Sequence, residues 1–217
     1  MPLMKKSLTM IGIISAMLVL TACVNGGEAS NNNPAHDSDG PQDGSPDNVL
    51  PLSDALEEYP VWIGSRGDEL SRNTVINIVI TFEEGVVKYY DYEDNGDLKI
   101  EDVVDISDQD IVKHAEEYAE EINLGEYTLN IVLDEYGNNT EMEQLLTQSE
   151  EIDIEFSNES VSVQFFGTNF SGMNMERFPV SGSNRFGTFL TRTGDSLISF
   201  MLDSPDTESE NVTIESE

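Results

Sequence analysis

Ser107 to Gly125 reads SDQDIVKHAEEYAEEINLG. Ile111, Val112, Ala115, Tyr118, Ala119 and Ile122 recur at helical spacing on one face, and Glu116, Glu117, Glu120 and Glu121 fall opposite them. Ser107 with Asp110 makes a capping-box-like start, and Gly125 is placed to end the element. The spacing predicts one amphipathic helix over about 108–123, with the glutamates as its solvated face.

Outward from this helix the pattern changes to strands. In Thr74 to Phe82 (TVINIVITF), Ile76, Ile78, Ile80 and Phe82 share one face while Asn77 and Thr81 share the other. A turn at Gly85 leads to Val86–Tyr92, and Asp94-Asn95-Gly96-Asp97 is turn chemistry before Leu98–Val104, so a three-stranded meander is expected. Beyond the helix, Tyr127 to Leu133 alternates as a strand, and Thr140 with Glu143 marks a short helix through Leu146. Ile152–Phe156 and Val161–Phe165 read as a hairpin turning at Asn158-Glu159. A last hairpin is expected from Phe186–Thr191 and Ser196–Leu202, turning at Gly194-Asp195. Leu52 to Tyr59, ended by Pro60, predicts another short helix. Strands in runs with one substantial helix argue for an α+β class: a mostly antiparallel meander and hairpin sheet, the main helix and one or two short ones, in a single acidic domain over residues 50–203.

The flanks differ from this domain. Residues 24–49 are crowded with Asn, Asp, Gly, Ser and Pro and hold almost no large apolar group, so they read as a disordered tether. A flexible coil of that length reaches roughly 28 Å. Residues 204–217 are again polar and acidic and read as a disordered tail.

Lys5 and Lys6 precede an apolar run from Leu8 to Leu20, and Leu20-Thr21-Ala22 leads into Cys23, the chain's single cysteine. A charged start, a short apolar stretch and small residues before a cut are the parts of a secretory signal, here residues 1–22. The run is too short for a membrane-spanning helix, which needs about 20 residues. The segment Leu20-Thr21-Ala22-Cys23 resembles the lipobox of bacterial lipoproteins. That resemblance implies a diacylglyceryl group on the Cys23 thiol and an acylated, palmitate-like amino terminus. It also implies a lipid anchor at the extracytoplasmic face of the cell membrane. Two acyl chains hold far more firmly than one, since each buried methylene adds about 0.8 kcal/mol.

With 43 acidic residues against 10 basic ones, the net charge is −33. Nucleic acid is thereby excluded as a partner, because polyanion binding relies on Lys and Arg displacing counterions. Anionic head groups are repelled too, so the acyl chains must hold the protein unaided. The acidity fits first a soluble surface in a salty or alkaline medium, and second attraction of calcium or of a basic partner.

Three constellations bear on chemistry. Asp91, Glu93, Asn95 and Asp102, with Gly96 and Leu98 between them, resemble the calcium loop of EF-hands and dockerins. Glu93 and Asp102 depart from that pattern in length, and a strand rather than a helix precedes the loop; the other meaning is a hairpin turn. Phe170, Met173, Met175, Arg177 and Phe178 are candidates for an interaction surface, since aromatic and Arg residues dominate interface hot spots, or for ordinary core. Catalytic residues are not assigned: two histidines, His36 and His114, assemble neither a zinc cluster nor a triad, and with so many acids a carboxylate pair arises by chance.

These features favour a membrane-anchored extracytoplasmic lipoprotein whose domain binds an envelope protein or wall component without catalysis, needing no cofactor unless calcium. A cell-envelope hydrolase using paired carboxylates and a calcium-dependent adhesion or assembly module stay open as alternatives.

Overall fold

The computed structural model describes residues 42–43, 48–66, 69–92, 97–148, 152–177 and 187–215. Over them run β1 (Gln42–Asp43), β2 (Asn48–Pro51), α1 (Leu52–Glu58), β3 (Val61–Arg66), β4 (Ile78–Glu83), β5 (Val86–Asp91), α2 (Ile100–Val103) and α3 (Asp108–Tyr118). β6 (Glu121–Leu133), β7 (Thr140–Thr147), β8 (Asp153–Phe165), β9 (Thr168–Arg177), β10 (Gly187–Arg192), β11 (Ile198–Met201) and β12 (Val212–Ile214) follow.

β3 to β10 pair in chain order, each antiparallel to the next, and β10 returns to β3 with Phe189 opposite Gly64. The result is a closed, eight-stranded up-and-down barrel, so the predicted α+β class is overturned. Alternation dictates the two faces. Trp62, Ile78, Ile80, Phe82, Val87, Tyr89, Tyr127, Leu129, Leu145, Ile154, Phe156, Met173, Met175 and Phe189 join one cluster inside. Ile63, Val79, Tyr90, Phe170 and Leu190, one step out of phase, join a second cluster outside, which Ile100, Val103, Ile111 and Ala115 of α2 and α3 cover.

An eight-stranded barrel is only wide enough to be filled by side chains or one small ligand. Here the chain fills it. Leu52, Ala55 and Leu56 of α1 and Ile198, Phe200 and Leu202 of the β11 segment belong to the inner cluster. Trp62 stacks on Phe189 at 4.6 Å and meets Phe200 at 5.3 Å, while its indole N–H donates to the Tyr59 carbonyl at 2.6 Å. Buried backbone groups need partners. β11 takes one set from β2, to which it is parallel, and the other from serines. Ser171 Oγ accepts from the Ile198 N–H at 2.9 Å, Ser160 Oγ accepts from the Phe200 N–H at 3.0 Å, and Ser162 Oγ donates to the Ile198 carbonyl at 2.7 Å. Room for β11 arises because β8 pairs with β7 only over Asp153–Phe156 and then leaves β7 to follow β9 from Ser160 to Phe165.

Several local expectations are corrected. The helix expected over 108–123 stops at Tyr118; Ala119 is extended, the Glu120 N–H donates to the Asp91 carbonyl at 2.8 Å, and residues 121–126 pair with β5. Burial did not reward the helical register, since Ile122 and Leu124 remain 46% and 66% exposed, whereas the open edge of β5 needed a partner. Thr140 to Leu146 is β7 rather than a helix, with Leu145 and Glu143 turned inward. Leu98 to Val104 supplies α2 and one bridge, Val75 to Lys99, instead of a third meander strand. The two segments of the hairpin over 152–165 are one strand interrupted by a bulge, and β10 and β11 pair elsewhere rather than with each other. β3 was not anticipated. Within the expected tether and tail, Gln42–Asp43 pairs with β8 and Val212–Ile214 runs parallel to β6.

Gly172 makes the close crossing of β9 and β10 feasible: a Cβ there would sit 1.8 Å from the Phe189 carbonyl oxygen. Gly172→Ala is therefore expected to cost about 3 kcal/mol through forced backbone displacement, read from the midpoint of urea unfolding; a midpoint within error of the wild type would contradict this packing.

Candidate functional site

The interior is occupied, and accessible concavity is found instead at the barrel's rim. One such cleft, about 370 Å³, is lined by Leu56, Glu57 and Pro60 from the α1 end, by Phe82, Glu83, Glu84 and Gly85 from the β4–β5 turn, and by Tyr127 and Asn211. Phe82 and Tyr127 meet edge to face at 5.2 Å and form its floor. Both are nearly buried, whereas Glu57, Glu83 and Glu84 are exposed along the rim. Among the described residues no basic one lines the cleft. Burial pushes the Tyr127 phenol up from its ordinary pKa, with the Glu57 charge adding to it.

The turn that carries two of these glutamates is tight. Glu84 and Gly85 both have positive φ, 49° and 77°, the signature of a two-residue type I′ hairpin turn. Glycine adopts this freely; a glutamate does not, because its Cβ crowds the following carbonyl. The Tyr127 N–H donates to the Gly85 carbonyl at 3.2 Å, fixing the turn against β6. An apolar aromatic floor under a carboxylate rim suits a cation on an aliphatic stem, which desolvates its methylenes on the floor and keeps its charge among the acids.

A second cluster is chemically unusual and wholly inside. Glu143 is 0% exposed and Asp203 1%. Glu143 Oε1 accepts the Asp203 N–H at 2.7 Å, and the Asp203 carboxylate accepts both the N–H and the hydroxyl of Ser53, at 2.8 and 2.5 Å. Burial first, and then the Asp203 charge, pushes the Glu143 carboxyl up to about 8. Carboxylate hydrolases use two such acids on either side of a substrate bond, but here Glu143 is spent on the Asp203 N–H and neither group reaches solvent.

The residues singled out from the sequence are distributed as follows. Asp91 is buried at the end of β5 and accepts from the Tyr89 hydroxyl at 3.2 Å. Asp102 is engaged in capping α2, accepting the Lys99 N–H at 2.9 Å. Glu93 and Asn95 lie outside the described residues. Among the described residues no group of three or more His, Cys, Asp or Glu side chains is arranged to hold a metal ion. Phe170, Met173 and Met175 are at most 1% exposed and belong to the two cores, so these three form no interaction surface. Arg177 ends β9, and Phe178 and Cys23 lie outside the described residues. Sequence reasoning missed the cleft because its parts are scattered from Leu56 to Asn211. It missed Glu143 because Thr140 and Glu143 mimic a helix cap.

Glu84→Asn is expected to stabilise the domain by about 1 kcal/mol by easing the left-handed residue, measured by thermal unfolding; a lower melting temperature would contradict the turn assignment. No protein-family model, curated protein or solved structure matches the chain, so its fold and cleft stand on their own geometry.

Proposed function

We propose that the chain is a lipid-anchored extracytoplasmic binding module, held through an acylated Cys23, whose barrel presents the Glu57, Glu83 and Glu84 cleft to a cationic group of an envelope protein. The anchor is supported by the order of residues at the start of the chain: Lys5 and Lys6, an apolar run to Leu20, then Thr21-Ala22-Cys23. The binding role is carried by one observation, a carboxylate-rimmed aromatic cleft at the end of a barrel already filled by its own segments. Lysine and arginine side chains of a basic partner match it in shape and sign. The large acid excess steers such a partner inward, and salt weakens the attraction.

Two experiments test this. Grown with a clickable palmitate analogue, cells expressing the full chain should yield a labelled protein in the membrane fraction, and Cys23→Ala should be unlabelled and released; an unlabelled wild type would overturn the anchor. A lysine-rich peptide titrated at low salt should bind the Glu57→Gln, Glu83→Gln, Glu84→Gln triple variant about tenfold more weakly, at about 0.2–1 kcal/mol per exposed pair. Neutralising Asp206, Glu208 and Glu210 is the control for net charge, and equal losses in the two triples would overturn the cleft.

A further inference from the structure

Asp203 is the point at which three parts of the chain meet. Its carboxylate holds the first turn of α1 through Ser53, its own N–H is held by Glu143 of β7, and its carbonyl accepts the Thr140 hydroxyl at 2.5 Å. It directly follows Leu202, the last apolar residue of the β11 segment inside the barrel. The α1 and β11 plug is thus fastened to the wall where the Glu143 carboxyl takes the Asp203 N–H and lies beside the Asp203 carboxyl that holds α1.

The surroundings of Glu143 leave its charge uncompensated. Ile131 of β6 and Phe156 of β8 stand opposite it in the register. From the β11 side it faces Asp203, whose carboxylate is taken by Ser53 of α1; Asp54, next to Ser53, is exposed. Among the described residues no basic group bears on it, and its Oε2 has no hydrogen-bond partner there. Keeping a proton on Glu143 makes this buried pair tolerable, whereas two adjacent carboxylates without a cation are not.

We propose that the Glu143–Asp203 contact is a pH-sensitive latch: it holds the α1 and β11 plug in the barrel while Glu143 keeps its proton and loosens it as the medium turns mildly alkaline. The sign follows from linkage. Glu143 titrates at about 8 when the latch is closed and near its ordinary 4.5 when exposed. Closure is therefore fully favoured below the lower value, weakens as pH rises between the two, and has lost this contribution above about 8. Because Leu56 and Glu57 at the far end of the same seven-residue helix line the cleft, loosening α1 also dismantles the site. This last consequence rests on the binding role proposed above; the latch does not.

Amide hydrogen exchange of α1, including the Tyr59 N–H bonded to Ala55, tests it between pH 6 and 8.5 after correction for intrinsic base catalysis. In the wild type, opening of α1 should rise roughly seventyfold across this range, while β4 and β5 stay protected. Glu143→Gln, which removes the charge and preserves the shape, should abolish the rise; Asp203→Asn, which removes the second of the two causes and leaves the burial, should lessen it and serves if the first variant does not fold. A flat wild-type profile, or an equal rise in either variant, overturns the latch. Loosening of α1 with unchanged affinity for the lysine-rich peptide leaves the latch standing and overturns its link to the cleft.

Discussion

Closure of β10 onto β3 is the constraint on which the rest of the structure depends. It removes the free edges of the central strands and, by doing so, creates an inside that must be filled. The chain meets that demand with segments from both ends of the domain, α1 and β11. Filling a barrel with polypeptide brings peptide groups inward along with side chains, and those groups need partners where water is excluded. Ser160, Ser162 and Ser171 supply them for β11, and Asp203 supplies one for α1. The polar residues inside this barrel are therefore a consequence of what the plug is made of.

Strand character was legible wherever one face is dry. Ile78, Ile80 and Phe82, and later Ile154 and Phe156, alternate in the sequence and point inward in the barrel. The short helix from Leu52 was also legible, because Pro60 marks its end. What failed were segments whose local pattern competes with a nonlocal backbone partner. Residues 119–125 continue a helical spacing, yet β5 offers an unpaired edge there, and a ladder of hydrogen bonds outweighs the small gain of burying Ile122. Thr140 and Glu143 look like a helix start only until Asp203, 60 residues away, is seen to hold Glu143. Barrel closure itself leaves no local trace, since any meander of eight strands has the same alternation whether or not its ends meet.

The candidate cleft illustrates the same limit from the side of function. Glu83 and Glu84 are ordinary members of an acidic chain, and their placement over Phe82 and Tyr127 follows only from the turn at Gly85 and from the seating of α1. The aromatic and methionine residues of β9 that suggested a surface are instead core, because β9 is flanked on both sides by paired strands. Asp91 and Asp102, proposed together as ligands in one loop, are separately engaged at a strand end and a helix cap. Abundant acidity made individual carboxylates uninformative in the sequence; burial and partners distinguish them.

The plugged barrel is tested most directly by nuclear Overhauser contacts from the Trp62 indole ring, which lies where wall and plug meet. Strong contacts to both Phe189 of β10 and Phe200 of β11 are expected, with slowly exchanging amides at Ile198 and Phe200. Contacts to Phe189 alone, with rapid exchange along β11, would contradict a barrel filled by its own chain.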